Sequence, residues 1–165
     1  MSILSNSKNF YINLIIVLSI FILDRLTKIY IIYLDKINSG SELYLSKYLN
    51  IYLIWNKGIA FGLFSLDEKI FYNYLTIFIF IIIVLILFWI IKSKGIQKYA
   101  LLMISGGALG NLFDRIFYRA VPDFIDLHIN NFHWFIFNIA DIFITIGVFL
   151  MILSEFTVKE RNEKT

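Results

Sequence analysis

Gly106-Gly107-Ala108-Leu109-Gly110-Asn111-Leu112-Phe113-Asp114-Arg115 is the stretch on which the reading of this chain turns. It closes an apolar run, Tyr99 to Tyr118, that is long enough to cross lipid as a helix, and it sets an amide, a carboxylate and a guanidinium into that run. Two further stretches repeat the pattern: Val121-Pro122-Asp123-Phe124 and Phe137-Asn138-Ile139-Ala140-Asp141. A carboxylate at membrane depth costs about 3 kcal/mol on insertion scales, so each of Asp114, Asp123 and Asp141 must be offset by pairing, by water or by chemistry.

Working outward, the whole chain has the composition of a membrane protein. It is 59% hydrophobic and 16% charged, below the roughly 25% charged residues of soluble domains. Its mean hydropathy is +0.77. The apolar residues gather in four blocks, which predict spans at approximately residues 10–34, 70–91, 98–118 and 132–153. Each block is about 20 residues or more, a bilayer core at roughly 1.5 Å per residue. The expected fold is therefore an α-helical integral membrane protein with four transmembrane helices, forming one domain over residues 1–165. The first block runs directly into Asp24-Arg25-Leu26-Thr27-Lys28 with no small-residue cleavage site, so it reads as a retained span.

Between the first two blocks, residues 35–69 alternate partly in Leu43 to Trp55, which favours strands. Asn56 and Gly58 then supply turn chemistry. A small sheet on the outer membrane face is expected there, with residues 120–131 as a second outer loop. Lys92, Lys94 and Lys98 make the link between the second and third spans basic, which places it and both termini in the cytoplasm. Residues 35–69 and 120–131 then face the extracytoplasmic side. The net charge of +3 is weak support for nucleic-acid binding, and none is expected. Cys is absent, which excludes disulfides, thiolate catalysis and Cys-ligated metal.

Depth and facing bring the polar residues together. With this topology Asp24 lies about 15 Å and Lys28 about 9 Å below the outer end of span one. Asn111 and Asp114 lie roughly 5 to 10 Å deep in span three, and Asn138 and Asp141 about 9 to 14 Å deep in span four. Asp24 with Lys28, Asn111 with Asp114 and Arg115, and Asn138 with Asp141 are spaced i, i+3 or i+4, so each group shares a helix face. Gly106 and Gly110 allow close approach of another span. Asp24 and Lys28 read as a structural ion pair. Asp114 reads as a support that fixes Arg115 or another span. His128, His133 and Asp126 read as solvated outer residues. Asp123 and Asp141 are the pair for which a shared proton is expected, because two carboxylates in a partly dry site do not both ionise cheaply. From spacing alone an aspartyl hydrolase, a proton-coupled carrier and a carboxylate/His metal site all remain open.

The motifs resemble those of the lipoprotein signal peptidases, the type II signal peptidases of bacterial inner membranes. The resemblance is carried by Asp24-x-x-Thr27-Lys28, Asn56-x-Gly58-x-Ala60-Phe61, the ten residues from Gly106 to Arg115, Val121-x-Asp123-Phe124 and Asn138-x-Ala140-Asp141, in order over nearly the whole chain. Pro122 is the one small departure, where the family usually carries Val. The resemblance implies a four-span aspartic endopeptidase that cuts prolipoproteins just before a diacylglyceryl-modified Cys. It implies Asp123 and Asp141 as the catalytic dyad, with Asn56, Gly107, Asn111, Arg115 and Asn138 lining the binding site. Asp24 and Lys28 would support them, and Asp114 ranks as a third catalytic candidate. It implies no metal or other cofactor, globomycin-like inhibitors, contact with membrane lipid and a monomer, with the 35–69 region as lid or cradle.

Overall fold

The computed structural model describes residues 2–38, 40, 43–58, 68–130 and 132–163. Ala60 and Phe61, the remainder of the 59–67 stretch and Lys164 lie outside the described residues. In chain order the elements are α1 (Ser2–Ile37), β1 (Tyr44–Leu45), β2 (Leu49–Asn56), α2 (Glu68–Lys92), α3 (Gly95–Phe117), β3 (Val121–Ile129), β4 (Phe132–Phe137) and α4 (Ile139–Glu163). Among the described residues, three helices are long and apolar enough to cross a membrane: Tyr72–Lys92, Gly95–Phe117 and Ile139–Phe156. They turn much of their apolar surface outward. Ile77, Phe78, Phe80, Ile81, Leu85 and Phe88 of α2 are all exposed, a surface suited to lipid and not to water.

α3 is the central helix. It packs against α1, α2 and α4, and buries Leu101, Leu102, Ser105, Gly106, Gly107, Gly110, Asn111 and Asp114. Its small residues make this possible. A Cβ on Gly106 would fall 2.8 Å from Ile20 of α1, and one on Gly107 would run into the carbonyl oxygen of Ala140 on α4. α4 returns the contact through Gly147, whose Cβ would fall 2.7 Å from the carbonyl oxygen of Ala100. With little hydrophobic drive between helices in lipid, such close backbone approach is what holds them together.

The four strands form one antiparallel sheet in the order β1-β2-β3-β4. The expected sheet is thus present, but it is larger than residues 35–69. Residues 121–129, expected as loop, form β3 at its centre, and residues 132–137, expected as the start of span four, form β4. The run Phe132 to Phe137 is apolar and aromatic, which suits a strand as well as a helix. Helix begins only after Asn138, so Asn138 and Asp141 stand at the N-terminal end of α4 and not two turns down a longer span. Pro122 fits because it pairs with Trp55 of β2, while the ladder to β4 begins at Ile125. One side of β3 thus has no β4 ladder at Pro122, where a missing N–H is tolerated.

Candidate active site

The site forms where the sheet meets the ends of α1, α3 and α4. Its organiser is Asn138, fully buried between β4 and α4. The Asn138 side-chain oxygen accepts the Asp141 N–H at 3.1 Å, and an Asp141 carboxylate oxygen accepts the Asn138 N–H at 3.1 Å. This reciprocal pair is a capping box with Asp in the third helical position, and it satisfies N–H groups the helix start would otherwise leave bare. The amide nitrogen of Asn138 is then free to reach Asp123 Oδ1 at 2.6 Å and Asn111 Oδ1 at 3.2 Å. One residue therefore links both candidate carboxylates.

Asp123 sits on β3 and is 3% exposed. Its second oxygen accepts a hydrogen bond from Asn56 Nδ2 at 2.9 Å. Asn56 is itself fixed by the turn after β2: its Oδ1 accepts the Gly58 N–H at 2.7 Å, an Asx turn, and Gly58 holds φ at +79° where a side chain would be strained. Burial pushes the Asp123 carboxyl up to about 6; the hydrogen bonds from Asn56 and Asn138 oppose that rise and the Asp141 charge adds to it. Asp141, in the first turn of α4, accepts a further bond from Asn111 Nδ2 at 2.8 Å.

Beneath these residues lies a dry electrostatic frame. Lys28 is fully buried and donates to Asp24 Oδ2 at 2.9 Å, Asn111 Oδ1 at 2.8 Å and Asp114 Oδ2 at 2.7 Å, which uses all three of its protons. Arg25 lies 2.6 Å from Asp114 Oδ1 and 3.2 Å from Asp24 Oδ2. Two acids and two bases thus neutralise one another where α1 crosses α3. The expected Asp24–Lys28 pair exists, but as half of a four-charge cluster. Asp114 pairs with Arg25 and Lys28 of α1 and not with Arg115. Arg25 was not among the expected site residues, since its partner is on another helix. Asp24 also receives the Ala140 N–H at 3.0 Å, tying α1 to the start of α4.

Asn111 joins frame and carboxylates: it accepts from Lys28 and donates to Asp141. Gly107 lies in the α3–α4 seam against Ala140 and Ile144 and not at an open surface. Arg115 is half-buried at the outer end of α3, where Nη1 donates weakly to the Asn111 carbonyl at 3.4 Å and Nε has no partner among the described residues. Beside Asp141 opens a cavity of about 600 Å³. Its walls are apolar side chains of β4 and α4, among them Phe132, Trp134, Phe135, Phe137, Ile142 and Ile146.

Asp126 departs from expectation. It is fully buried, and His133 Nδ1 lies 2.8 Å from its Oδ2. The two histidines group with Asp126, and neither hydrogen-bonds to Asp123 or Asp141 among the described residues.

Comparison with known proteins bears on this arrangement directly. A family model described as signal peptidase (SPase) II matches residues 16–157. The lipoprotein signal peptidase of Pelagibacter ubique (strain HTCC1062) is 56% identical over 161 residues, covering 96% of this chain and 97% of that protein. That of Anaplasma phagocytophilum (strain HZ) is 40% identical over 149 residues, covering 87% and 91%. A bacterial membrane enzyme solved by the in meso method at 1.9 Å resolution superposes with a TM-score of 0.70 at 32% identity, covering 86% of this chain and 90% of that one. With a family match across most of its length and relatives this similar, the chain belongs to the signal peptidase II family.

Proposed function

We propose that this membrane-embedded peptidase uses Asp123 and Asp141 as an aspartyl dyad to remove the signal peptide from diacylglyceryl-modified prolipoproteins, just before the lipidated Cys. The observation that carries the reading is the convergence of two carboxylates on Asn138, each with a further amide donor, next to an apolar cavity. The dyad shares one proton. Asp123, whose carboxyl burial pushes up to about 6, is the member assigned that proton. Asp141 takes a proton from a bound water, which attacks the scissile carbonyl. Asp123 protonates the carbonyl oxygen, and the acid then serves the leaving amine. No acyl-enzyme forms, and the reaction requires no cofactor.

The remaining residues position the substrate. Asn56, Asn111 and Asn138 present amides around the dyad, and Arg115 offers an incompletely used guanidinium to a substrate carbonyl or lipid phosphate. Gly107 serves by letting α4 approach α3. Asp24, Lys28 and Asp114 support the site as the neutral frame. The cavity beside Asp141 suits the apolar parts of a lipidated substrate, or a globomycin-like inhibitor. The enzyme works as a single-domain monomer in contact with membrane lipid. α1 acts as a fourth span, its exposed Leu14, Ile15, Leu18, Ile22 and Leu26 meeting lipid. Both termini are cytoplasmic, and the sheet and dyad face the extracytoplasmic side of the bacterial inner membrane.

Cleavage of a lipidated prolipoprotein by the purified protein tests this. Asp123→Asn and Asp141→Asn should each lose turnover by several orders of magnitude while remaining folded, and the double variant should be little worse, because such a pair acts as a unit. Asp114→Asn should lose stability and keep residual activity in the folded fraction. Near-normal cleavage by folded Asp123→Asn, with folded Asp114→Asn inactive, would transfer the dyad to Asp114 and Asp141.

A further inference from the structure

A second cluster of chemistry-bearing side chains lies on the β3–β4 hairpin. Asp126 and His128 are two apart on β3 and so share a face. Regular pairing from Asp126↔Ile136 would set His128 opposite Trp134, but the observed partners are His128↔His133 and Ile129↔Phe132. Trp134 and Phe135 therefore stand opposite Leu127 alone, a β-bulge that moves His133 onto the face of Asp126 and His128. The two imidazole rings stack with centroids 5.0 Å apart.

We propose that Asp126, His128 and His133 form a binding site for a divalent transition-metal ion of the zinc class, distinct from the Asp123/Asp141 dyad. One donor atom from each residue lies within 4.8 Å of the others. An independent observation points the same way: Asp126 is fully buried, yet among the described residues its Oδ1 has no hydrogen-bond partner, and neither does the buried Nδ1 of His128. Two orphaned buried polar atoms in one small cluster are costly, and a cation is a partner that a carboxylate oxygen and an imidazole nitrogen can both accept. Two imidazoles and one carboxylate suit Zn²⁺, which takes such donors at about 2.0 to 2.2 Å and leaves its fourth position to water. The donors need to draw together by about an ångström, and the direct His133–Asp126 contact gives way to ligation. Asn50 Nδ2, 3.4 Å from Asp126 Oδ2, stands outside the ligands and orients the carboxylate. The ion ties β3 to β4, whose Phe132, Trp134 and Phe135 wall the cavity beside Asp141. Its role is to hold that wall.

The test is Co²⁺ titration of tag-free, full-length protein in detergent after treatment with chelator, followed by Zn²⁺ competition and thermal unfolding. One Co²⁺ per chain should bind with the absorption bands of tetrahedral nitrogen and oxygen ligation, equimolar Zn²⁺ should displace it, and Zn²⁺ should raise the unfolding temperature. Asp126→Asn risks misfolding, so the informative variants are His133→Ala, whose side chain is half exposed, and His128→Ala. Each should weaken binding by at least about 10-fold and abolish the Zn²⁺ stabilisation. Absence of a saturable Co²⁺ band, or unchanged binding in the His128→Ala/His133→Ala double variant, would overturn the proposal.

Discussion

Replacing Asn138 separates its two roles, helix cap and carboxylate link. Asn138→Ala removes the side-chain acceptor of the Asp141 N–H, a loss of about 1 kcal/mol for an N-cap. It also removes the donor held 2.6 Å from buried Asp123 Oδ1. A hydrogen bond to a charged or partly charged buried group contributes about 1.5 to 3 kcal/mol. The combined loss should be about 2.5 to 4 kcal/mol. Asn138→Ser restores the cap, since Ser is a good N-cap residue, but its hydroxyl is too short to cap the Asp141 N–H and also reach the Asp123 carboxylate. Ser should therefore melt above Ala by the share of the cap alone. Turnover should separate differently. Both variants free Asp123 to move, and misplacement of a reacting group by an ångström costs about 100-fold, so kcat/KM should fall by about that factor in each. Thermal unfolding in detergent and cleavage of a lipidated prolipoprotein peptide provide the two readouts. A Ser variant with near wild-type turnover would reduce Asn138 to a cap and remove its role in linking the dyad.

Three further outcomes are expected. Lys28→Met should cost about 3 to 5 kcal/mol by leaving Asp24 and Asp114 buried with one cation fewer, and adding Asp114→Asn should restore part of the unfolding temperature. The Asp123 carboxyl rises from 3.8 unfolded to about 6 folded, so the stability linked to its proton is fully present below about 3.8 and is lost as pH rises through about 6. That loss amounts to about 3 kcal/mol, so Asp123→Asn should unfold at a higher temperature than the native protein at pH 8 and should lose that advantage at acid pH. A Cys placed at Lys94 should be labelled only from the cytoplasm and one at Asn130 only from outside; the reverse pattern would invert the proposed topology.

Much of this arrangement was legible because helices in lipid obey strong rules. The apolar lengths located α2 and α3 within a few residues, and the i, i+3 and i+4 spacings put Asn111 and Asp114 on the face that meets α1. Phe132 to Phe137 was not legible as β4, because an aromatic run has no period that separates a strand from the start of a span. Asn138-x-x-Asp141 before an apolar run is itself a helix-start signal, and it would have placed the boundary correctly. Arg25 was not legible as part of the frame because its closer partner, Asp114, comes from a helix packed through glycines, and only its longer contact, with Asp24, lies on its own helix. The meeting of His133 with Asp126 depends on a bulge, an extra residue in one strand that alternation cannot reveal.

The hydrogen bond from the Ala140 N–H to Asp24 has a consequence for how the protein is made. It joins α1 to α4, which is synthesised after α1, α2 and α3. As the proposed fourth span, α1 would enter the bilayer with Asp24 and Lys28 already paired one turn apart, which lowers the cost of inserting both charges. Arg25 gains its closer partner, Asp114, only with α3, and the carboxylate of Asp24 keeps one oxygen unclaimed until α4 arrives. The frame thus closes in the order of synthesis, and the proposed dyad is complete only when α4 docks. A nascent or truncated chain ending before Asn138 is therefore a proteolytically silent assembly intermediate, and activity itself reports that insertion has finished.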